Sequence, residues 1–406
     1  MENQNNKMNM ENQNNKMNME IQYNGNDRMD FLYGNPGKEE IEAQQPYAYW
    51  LHRVEKISNA GKEKLLKQFG SPREIYSAKK TSLAGDIYQE YDAMLEKGIS
   101  FYPFYHKAYP KRLLEIPDRP FGIYVKGQLP RDNRRSVAII GARNCSEYGS
   151  YVAKQFAGEF AAEGIDIISG MARGIDGIAQ KAALERGEKT YAVLGCGADI
   201  CYPASHESLY QAICEKGGVL STYPPGTIPL PRRFPPRNRI ISGLSDAIVV
   251  IEARQKSGTL ITVDMALEQG REVYVVPGRI TDRLSDGCNE LMLQGAGIAL
   301  SPRRVLRELE ETVWSVIGKI GERNNGIKEE AGRTDGRTDG INDQEKALLS
   351  LLDLYPVSID QIRIMMQTKK MLSTLTLPQT MELLVKLTIE GFVKNTGGYY
   401  GLAKPL

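Results

Sequence analysis

Ser136-Val-Ala-Ile-Ile-Gly-Ala-Arg143 decides the fold. Its first part is apolar and β-rich, and it runs straight into a glycine and an arginine. A strand with no polar face belongs inside a sheet covered on both sides. The glycine marks a turn into a helix, and Tyr151 to Ala162 supplies one.

The same unit recurs on either side. Ile165-Asp-Ile-Ile168 runs into Ser169-Gly170, and Thr190-Tyr-Ala-Val-Leu194 into Gly195-Cys-Gly197. Val219-Leu-Ser221 follows a double glycine. Ala247-Ile-Val-Val-Ile251 precedes a loop ending Ser257-Gly258-Thr259, and Val273-Tyr-Val-Val276 runs into Pro277-Gly278. Helical stretches such as Leu260 to Gln269 separate the strands. Strands alternating with helices imply an α/β fold with a parallel sheet, which binds ligands at the carboxyl ends of its strands. The glycine turns fall there.

The flanking segments differ in composition. Residues 1–9 repeat as residues 10–18 and are rich in Asn and Gln, so 1–45 reads as a disordered tail. Tyr47, Trp50, Leu51, Val54, Ile57, Leu65, Leu66 and Phe69 recur at helical spacing, giving a helical domain over 46–105. The sheet domain then takes 106–312. Gly332-Arg-Thr-Asp335 repeats as Gly336-Arg-Thr-Asp339 within a linker over 313–342. Residues 343–406 carry three apolar helical stripes, followed by two short strands around Asn395 to Gly398, the pattern of a winged helix.

The chain has 406 residues, with 52 Lys and Arg against 50 Asp and Glu, a net charge of +2. That excludes coating of nucleic acid by bulk charge. The total hides an asymmetry. Residues 1–45 hold eight acids and four bases, a net −4, which leaves +6 for the rest. No apolar run approaches the roughly 18 residues of a membrane span. Cysteines 145, 196, 201, 214 and 288 form no C-x-x-C pair, which argues against a disulfide framework or a zinc site. The first residues lack signal-peptide character, and a reduced, cytoplasmic protein is expected.

Enzyme motifs are missing. The sequence contains no G-x-x-x-x-G-K-[ST], H-E-x-x-H or G-x-S-x-G, and Gly195-Cys-Gly-Ala-Asp-Ile200 lacks the third glycine of a dinucleotide site. His52, His106 and His206 are scattered, and nothing ties any of them to a nucleophile or metal. The expectation is no catalytic residue, no metal and no cofactor.

Anion-binding signals are plentiful. Gly141-Ala142-Arg143, with Ser146 in the same turn, opens a helix whose N-terminal N–H groups suit a phosphate. Ser169, Gly170 and Arg173 repeat the arrangement, and Lys256, Ser257, Gly258 and Thr259 repeat it again. The densest feature is Pro231-Arg-Arg-Phe-Pro-Pro-Arg-Asn-Arg-Ile240. There Arg232, Arg233, Arg237 and Arg239 surround Phe234 and Asn238 in what reads as an Arg-rich loop. Arginine beside an aromatic ring suits a nucleotide chain: charge for phosphates, a face for base stacking.

Taken together, these motifs resemble the DNA-processing protein A (DprA/Smf) family. The resemblance starts at Tyr109-Pro-Lys-Arg-Leu-Leu114 and Ile116-Pro-Asp-Arg-Pro120. It continues through Val137 to Arg143, Ser169 to Asp176, Leu194-Gly-Cys-Gly197 and Tyr202-Pro203. It ends with Arg237 to Ser242, Glu252-Ala253, Ser257 to Leu260, Val276-Pro-Gly278 and Gly287-Cys-Asn289. The resemblance implies a Rossmann-like core that binds single-stranded DNA and forms a homodimer. It implies loading of RecA onto that DNA during natural transformation, against exclusion by single-strand-binding protein. It also implies a sterile-alpha-motif-like domain before the core and a winged helix after it. Three positions depart from the family pattern: Gln180 for a frequent His, Thr222 for a frequent Glu, and Ala204 for a frequent basic residue.

The run around Ser257-Gly-Thr259 also resembles the P-G-G-x-G-T-x-x-E motif of nucleotide phosphoribohydrolases, without its double glycine, and that resemblance implies a phosphoribohydrolase-like enzyme on the same sheet. Thr262, however, stands where that motif carries its acid–base Glu. A winged helix reading duplex DNA would have to rely on Arg363, Lys369, Lys370 and Lys386, which is thin for groove readout.

Overall fold

The computed structural model describes residues 38–79, 86–314, 342–352, 357–366, 372, 375–396 and 399–403. Most of the expected tail and linker lies outside the described residues.

Four helices come first: α1 (Lys38–Arg53), α2 (Asn59–Phe69), α3 (Pro72–Lys79) and α4 (Ile87–Glu96). Strand β1 (Ile99–Pro103), helix α5 (Lys111–Leu114) and strand β2 (Gly122–Gly127) lead into the α/β unit. That unit runs β3 (Ser136–Ile140), α6 (Glu147–Ala162), β4 (Asp166–Ser169), α7 (Ile175–Glu185), β5 (Thr190–Leu194), α8 (Glu207–Lys216) and β6 (Gly218–Ser221). It continues with α9 (Phe234–Gly243), β7 (Ala247–Val250), α10 (Gly258–Glu268), β8 (Glu272–Val275), α11 (Asp286–Leu293), β9 (Gly297–Ile298) and α12 (Pro302–Leu309).

The strands form one nine-stranded sheet in the order β1-β2-β6-β5-β4-β3-β7-β8-β9. From β6 to β9 every pairing is parallel, while β1 and β2 pair antiparallel at one edge. This is a mixed α/β fold with a mostly parallel, Rossmann-like sheet. The chain steps one way from β3 to β6 and then returns to place β7 on the other side of β3. That reversal opens a crevice beyond the carboxyl ends of β3 and β7.

Strand alternation divides the core. Val137 and Ile139 point into one hydrophobic cluster with Val152, Phe156 and Phe160 of α6. Ala138 and Ile140 point into the other, with Ile240 and Ile241 of α9. Asp246 clamps the far end of the sheet. Its carboxylate accepts from Arg112 Nε at 2.8 Å, Ser136 N at 2.9 Å and Trp314 Nε1 at 3.1 Å.

Three expected boundaries shift. The first helix starts at Lys38 and not at 46. The 46–105 segment is not purely helical, because β1 pairs with β2 inside the sheet, and Leu51, Leu66 and Ile75 share one core with Val193 and Ile248. Val313 and Trp314, assigned to the expected linker, belong to the sheet domain, with Trp314 buried against Asp246. Composition missed these because edge strands and a single anchoring Trp carry no period.

The C-terminal unit holds α13 (Asp343–Leu349), β10 (Val357–Ser358), α14 (Ile359–Met366), α15 (Leu377–Ile389), β11 (Val393–Thr396) and β12 (Tyr399–Leu402). Its strands order as β10-β12-β11, and Leu348, Ile362, Leu384 and Tyr400 form its own core. Inside it the buried Glu345 carboxylate accepts from Lys386 Nζ at 2.6 Å.

Where the N-terminal helices meet the sheet, His52 packs among Phe101, Phe121 and Tyr124, with Nε2 3.0 Å from the Thr222 carbonyl. Burial, reinforced by Lys62, pushes its pKa down to about 3. The folded protein therefore keeps a neutral ring, while the unfolded chain takes up a proton below about 6.5. This contribution to stability is complete above pH 6.5 and is lost as pH falls toward 3. Urea unfolding at pH 7, 6 and 5 should show wild type losing up to about 1.4 kcal/mol per pH unit more than His52→Gln. Identical slopes would contradict the assignment.

Candidate nucleic-acid interface

A cleft of 650 Å³ occupies the crevice beyond β3 and β7. Gly141, Ala142, Arg143 and Asn144 line it after β3, and Arg254, Ser257, Gly258 and Thr259 after β7. Phe234, Arg237 and Asn238 of α9 enter from the side, together with Tyr202.

The segment read as an Arg-rich loop is helical. A 3₁₀ turn over Pro231–Arg233 leads into α9, because Pro231, Pro235 and Pro236 fall in first-turn positions that need no N–H donor. Helical geometry sends its arginines in different directions. Arg237 is buried, and its Nη1 donates to the Val193 carbonyl of β5 at 2.9 Å. Arg239 points away from the cleft, pairing with Asp118 at 2.7 Å and with the Pro117 carbonyl. Arg233 lies over the Tyr223 ring, and Arg232 stays exposed outside the cleft. The expected block of four cleft arginines thus reduces to Arg237, joined by Arg143.

The Phe234 ring is the hub of this group. Arg143 lies 5.5 Å and Arg237 5.8 Å from its centroid, and the Tyr202 ring lies 5.6 Å away. Asp176 is buried close by and accepts from Gly170 N at 3.1 Å. Burial raises its pKa, countered chiefly by Arg237; burial lowers that of Arg237, countered chiefly by Asp176.

The three glycine turns have three different fates. At the first, the anion position on the N-terminus of α6 is filled from within. Glu252 accepts from Ser146 N at 2.9 Å and from Ser146 Oγ. A side chain at Gly149 would collide with that carboxylate. Desolvation raises the Glu252 pKa, opposed by its Ser146 bonds. Ser146 caps α6, and its hydroxyl and N–H are both engaged by Glu252. At the second turn, Ser169 is buried with Oγ donating to the Ile139 carbonyl at 2.7 Å, and Gly170 N is held by Asp176. Arg173 alone remains exposed there. At the third turn, the N-terminus of α10 has no side-chain cap, and the buried Ser257 Oγ has no partner. Thr259 Oγ1 reaches the Gly141 carbonyl at 3.4 Å, and Lys256 is exposed beside the turn. The third turn thus brings an uncapped helix N-terminus to the cleft, and the first turn brings the Arg143 guanidinium.

Residues 100–310 match the family described as DNA recombination-mediator protein A. The chain belongs to this family. It is 42% identical over 222 residues to DNA processing protein DprA of Streptococcus pneumoniae, covering 54% of this chain and 78% of that protein. It is 38% identical over 220 residues to DNA processing protein DprA of Bacillus subtilis, covering 54% and 74%. The X-ray structure of the S. pneumoniae DprA superposes with a TM-score of 0.52 at 33% identity, covering 71% of this chain and 99% of that one.

In this DprA family member, sequence reasoning missed Tyr202, Asn144, Arg254 and Asp176 as cleft residues. Tyr202-Pro203 was visible as a motif, but its pairing with Phe234 depends on distant segments meeting. Gln180, the departure from a family His, is buried and donates to the Tyr191 carbonyl at 3.0 Å, a structural role.

Gly170 is a sharp test of the cluster. A methyl group there would collide with Arg237 Nη1 and lie 2.8 Å from Asp176 Oδ2. Gly170→Ala should displace the guanidinium from Val193 and destabilise the fold by about 1–3 kcal/mol, read by chemical denaturation. A neutral result would mean that Arg237 has another seat.

Proposed function

We propose that this chain binds single-stranded DNA in the cleft and takes part in DNA processing without catalysing a reaction. The observation that carries this reading is the convergence of Arg143, Arg237 and the Phe234 and Tyr202 rings beside the uncapped N-terminus of α10. Cations and a helix N-terminus suit phosphates, and the rings suit unpaired bases of any sequence. Gly141, Ala142, Ser257, Gly258 and Thr259 bring backbone close to the strand, and Asn238 adds a polar edge. Arg232, Arg233, Lys256 and Arg173 supply charge around the site.

Beyond binding, we propose loading of RecA onto the strand and protection of incoming DNA during natural transformation, in competition with single-strand-binding protein. The family description as a recombination mediator supports this role. A homodimer through the sheet domain is supported by Leu293, Ile298 and Leu300, exposed by 84%, 43% and 61% around the edge strand β9. The N-terminal helices read as the sterile-alpha-motif-like unit and the C-terminal unit as the winged helix. A cytoplasmic location fits this work; among the described residues, no helix is long and apolar enough to cross a membrane. The phosphoribohydrolase alternative gains no support: Thr262 is buried where that motif carries Glu, and Asp176 is committed to Gly170.

Fluorescence anisotropy with a labelled single strand tests the reading. Affinity should fall steeply between 50 and 200 mM salt, as expected for phosphate contacts. Arg143→Ala should weaken binding about tenfold and flatten the salt slope, and Phe234→Ala should cost about 1–3 kcal/mol. Arg239→Ala should leave affinity unchanged, because its guanidinium is held by Asp118. Full affinity in Arg143→Ala would exclude the cleft as the strand's site.

A further inference from the structure

The cleft has a side lobe of 140 Å³, against 650 Å³ for the cleft itself. Arg143, Tyr202, Phe234 and Arg237 line both spaces, so the two communicate. Arg173 lines only the lobe. Three guanidinium groups therefore face a compact space, and no carboxylate lines it.

The fold uses these cations only in part. Arg237 is only 5% exposed, and its buried Nε has no hydrogen-bond partner although Nη1 is bound to Val193. Among the described residues, neither Arg143 nor Arg173 forms a hydrogen bond or ion pair, and the Arg143 guanidinium lies 5.5 Å from the Phe234 ring centroid. Three cations share a single buried carboxylate, Asp176, and the positive charge left over calls for an anion. An interior phosphodiester carries a single negative charge and needs chain exits on both sides. A phosphomonoester carries about −1.5 to −2 at pH 7, offers three acceptor oxygens and needs one exit. The lobe's size and charge match the second kind of group.

We propose that the lobe holds a terminal phosphomonoester, so that this protein recognises a phosphorylated end of a single strand. This inference rests on the binding of a strand in the adjoining cleft. A free mononucleotide would present the same chemistry, with its base on the Phe234 and Tyr202 rings.

The test uses the full chain and one labelled oligonucleotide in three forms: 5′-phosphorylated, 3′-phosphorylated and hydroxyl at both ends. One phosphorylated form should bind about tenfold more tightly than the hydroxyl form, as charge-assisted bonds would give. Circular single-stranded DNA should compete no better than the hydroxyl form. Arg173→Gln, a change at an exposed position, should bring the ratio of phosphorylated to hydroxyl affinity close to one, and Arg237→Gln should do the same. Equal affinity of all three wild-type forms would overturn the proposal while leaving strand binding intact. Absence of binding by every form would instead overturn the strand-binding reading. Displacement by dTMP with no preference between strand ends would assign the lobe to free mononucleotides and also overturn the proposal. A preference that survives Arg173→Gln and Arg237→Gln would place end recognition elsewhere.

Discussion

Burial of the Arg237 guanidinium is the constraint on which the site depends. A buried cation must be hydrogen-bonded and electrically compensated, or it is costly. Here Val193 of β5 accepts one bond, Asp176 at the start of α7 supplies the opposing charge, and Gly170 after β4 leaves the room. The Phe234 ring, one turn earlier on α9, packs with Arg237 and comes close to Gly195. A single side chain thus joins α9 to the carboxyl ends of β4 and β5. It fixes the place of the Phe234 ring at the cleft and leaves its own Nε without a hydrogen-bond partner.

A second constraint lies in how the strand-to-helix turns are capped. Three strand-to-helix turns look equivalent as sequence, each with small residues before a helix. The chain's own carboxylates occupy two of them, Glu252 at α6 and Asp176 at Gly170. Those carboxylates satisfy N–H groups that would otherwise be orphaned in the interior. The N-terminus of α10, left without a cap, faces the cleft instead. Internal stabilisation and ligand binding use the same physics and differ only in which molecule carries the negative charge.

The helices before the sheet are tied to it more closely than their composition suggests. His52 bonds the carbonyl of Thr222 just past β6, and Lys62 Nζ donates to the His52 carbonyl at 2.7 Å. Strand β1 extends the sheet at the same edge. The C-terminal unit, by contrast, has a separate core.

Local sequence was sufficient for the parallel sheet. The buried strands are built on short apolar runs, most of them leading into a glycine turn, and family motifs lie on those turns. Local sequence also singled out Arg143, Phe234 and the Ser257-Gly258-Thr259 turn, which the structure brings to one cleft. Tertiary structure alone decided which arginines face the cleft, because a helix sends Arg237 and Arg239 in different directions whereas a list of neighbours does not. It alone revealed Glu252 as the internal anion at α6, since that contact joins residues 106 positions apart. The physical reason is common to these cases. Periodicity and turn chemistry are local, whereas burial of a charge is settled by whatever distant group can pair with it.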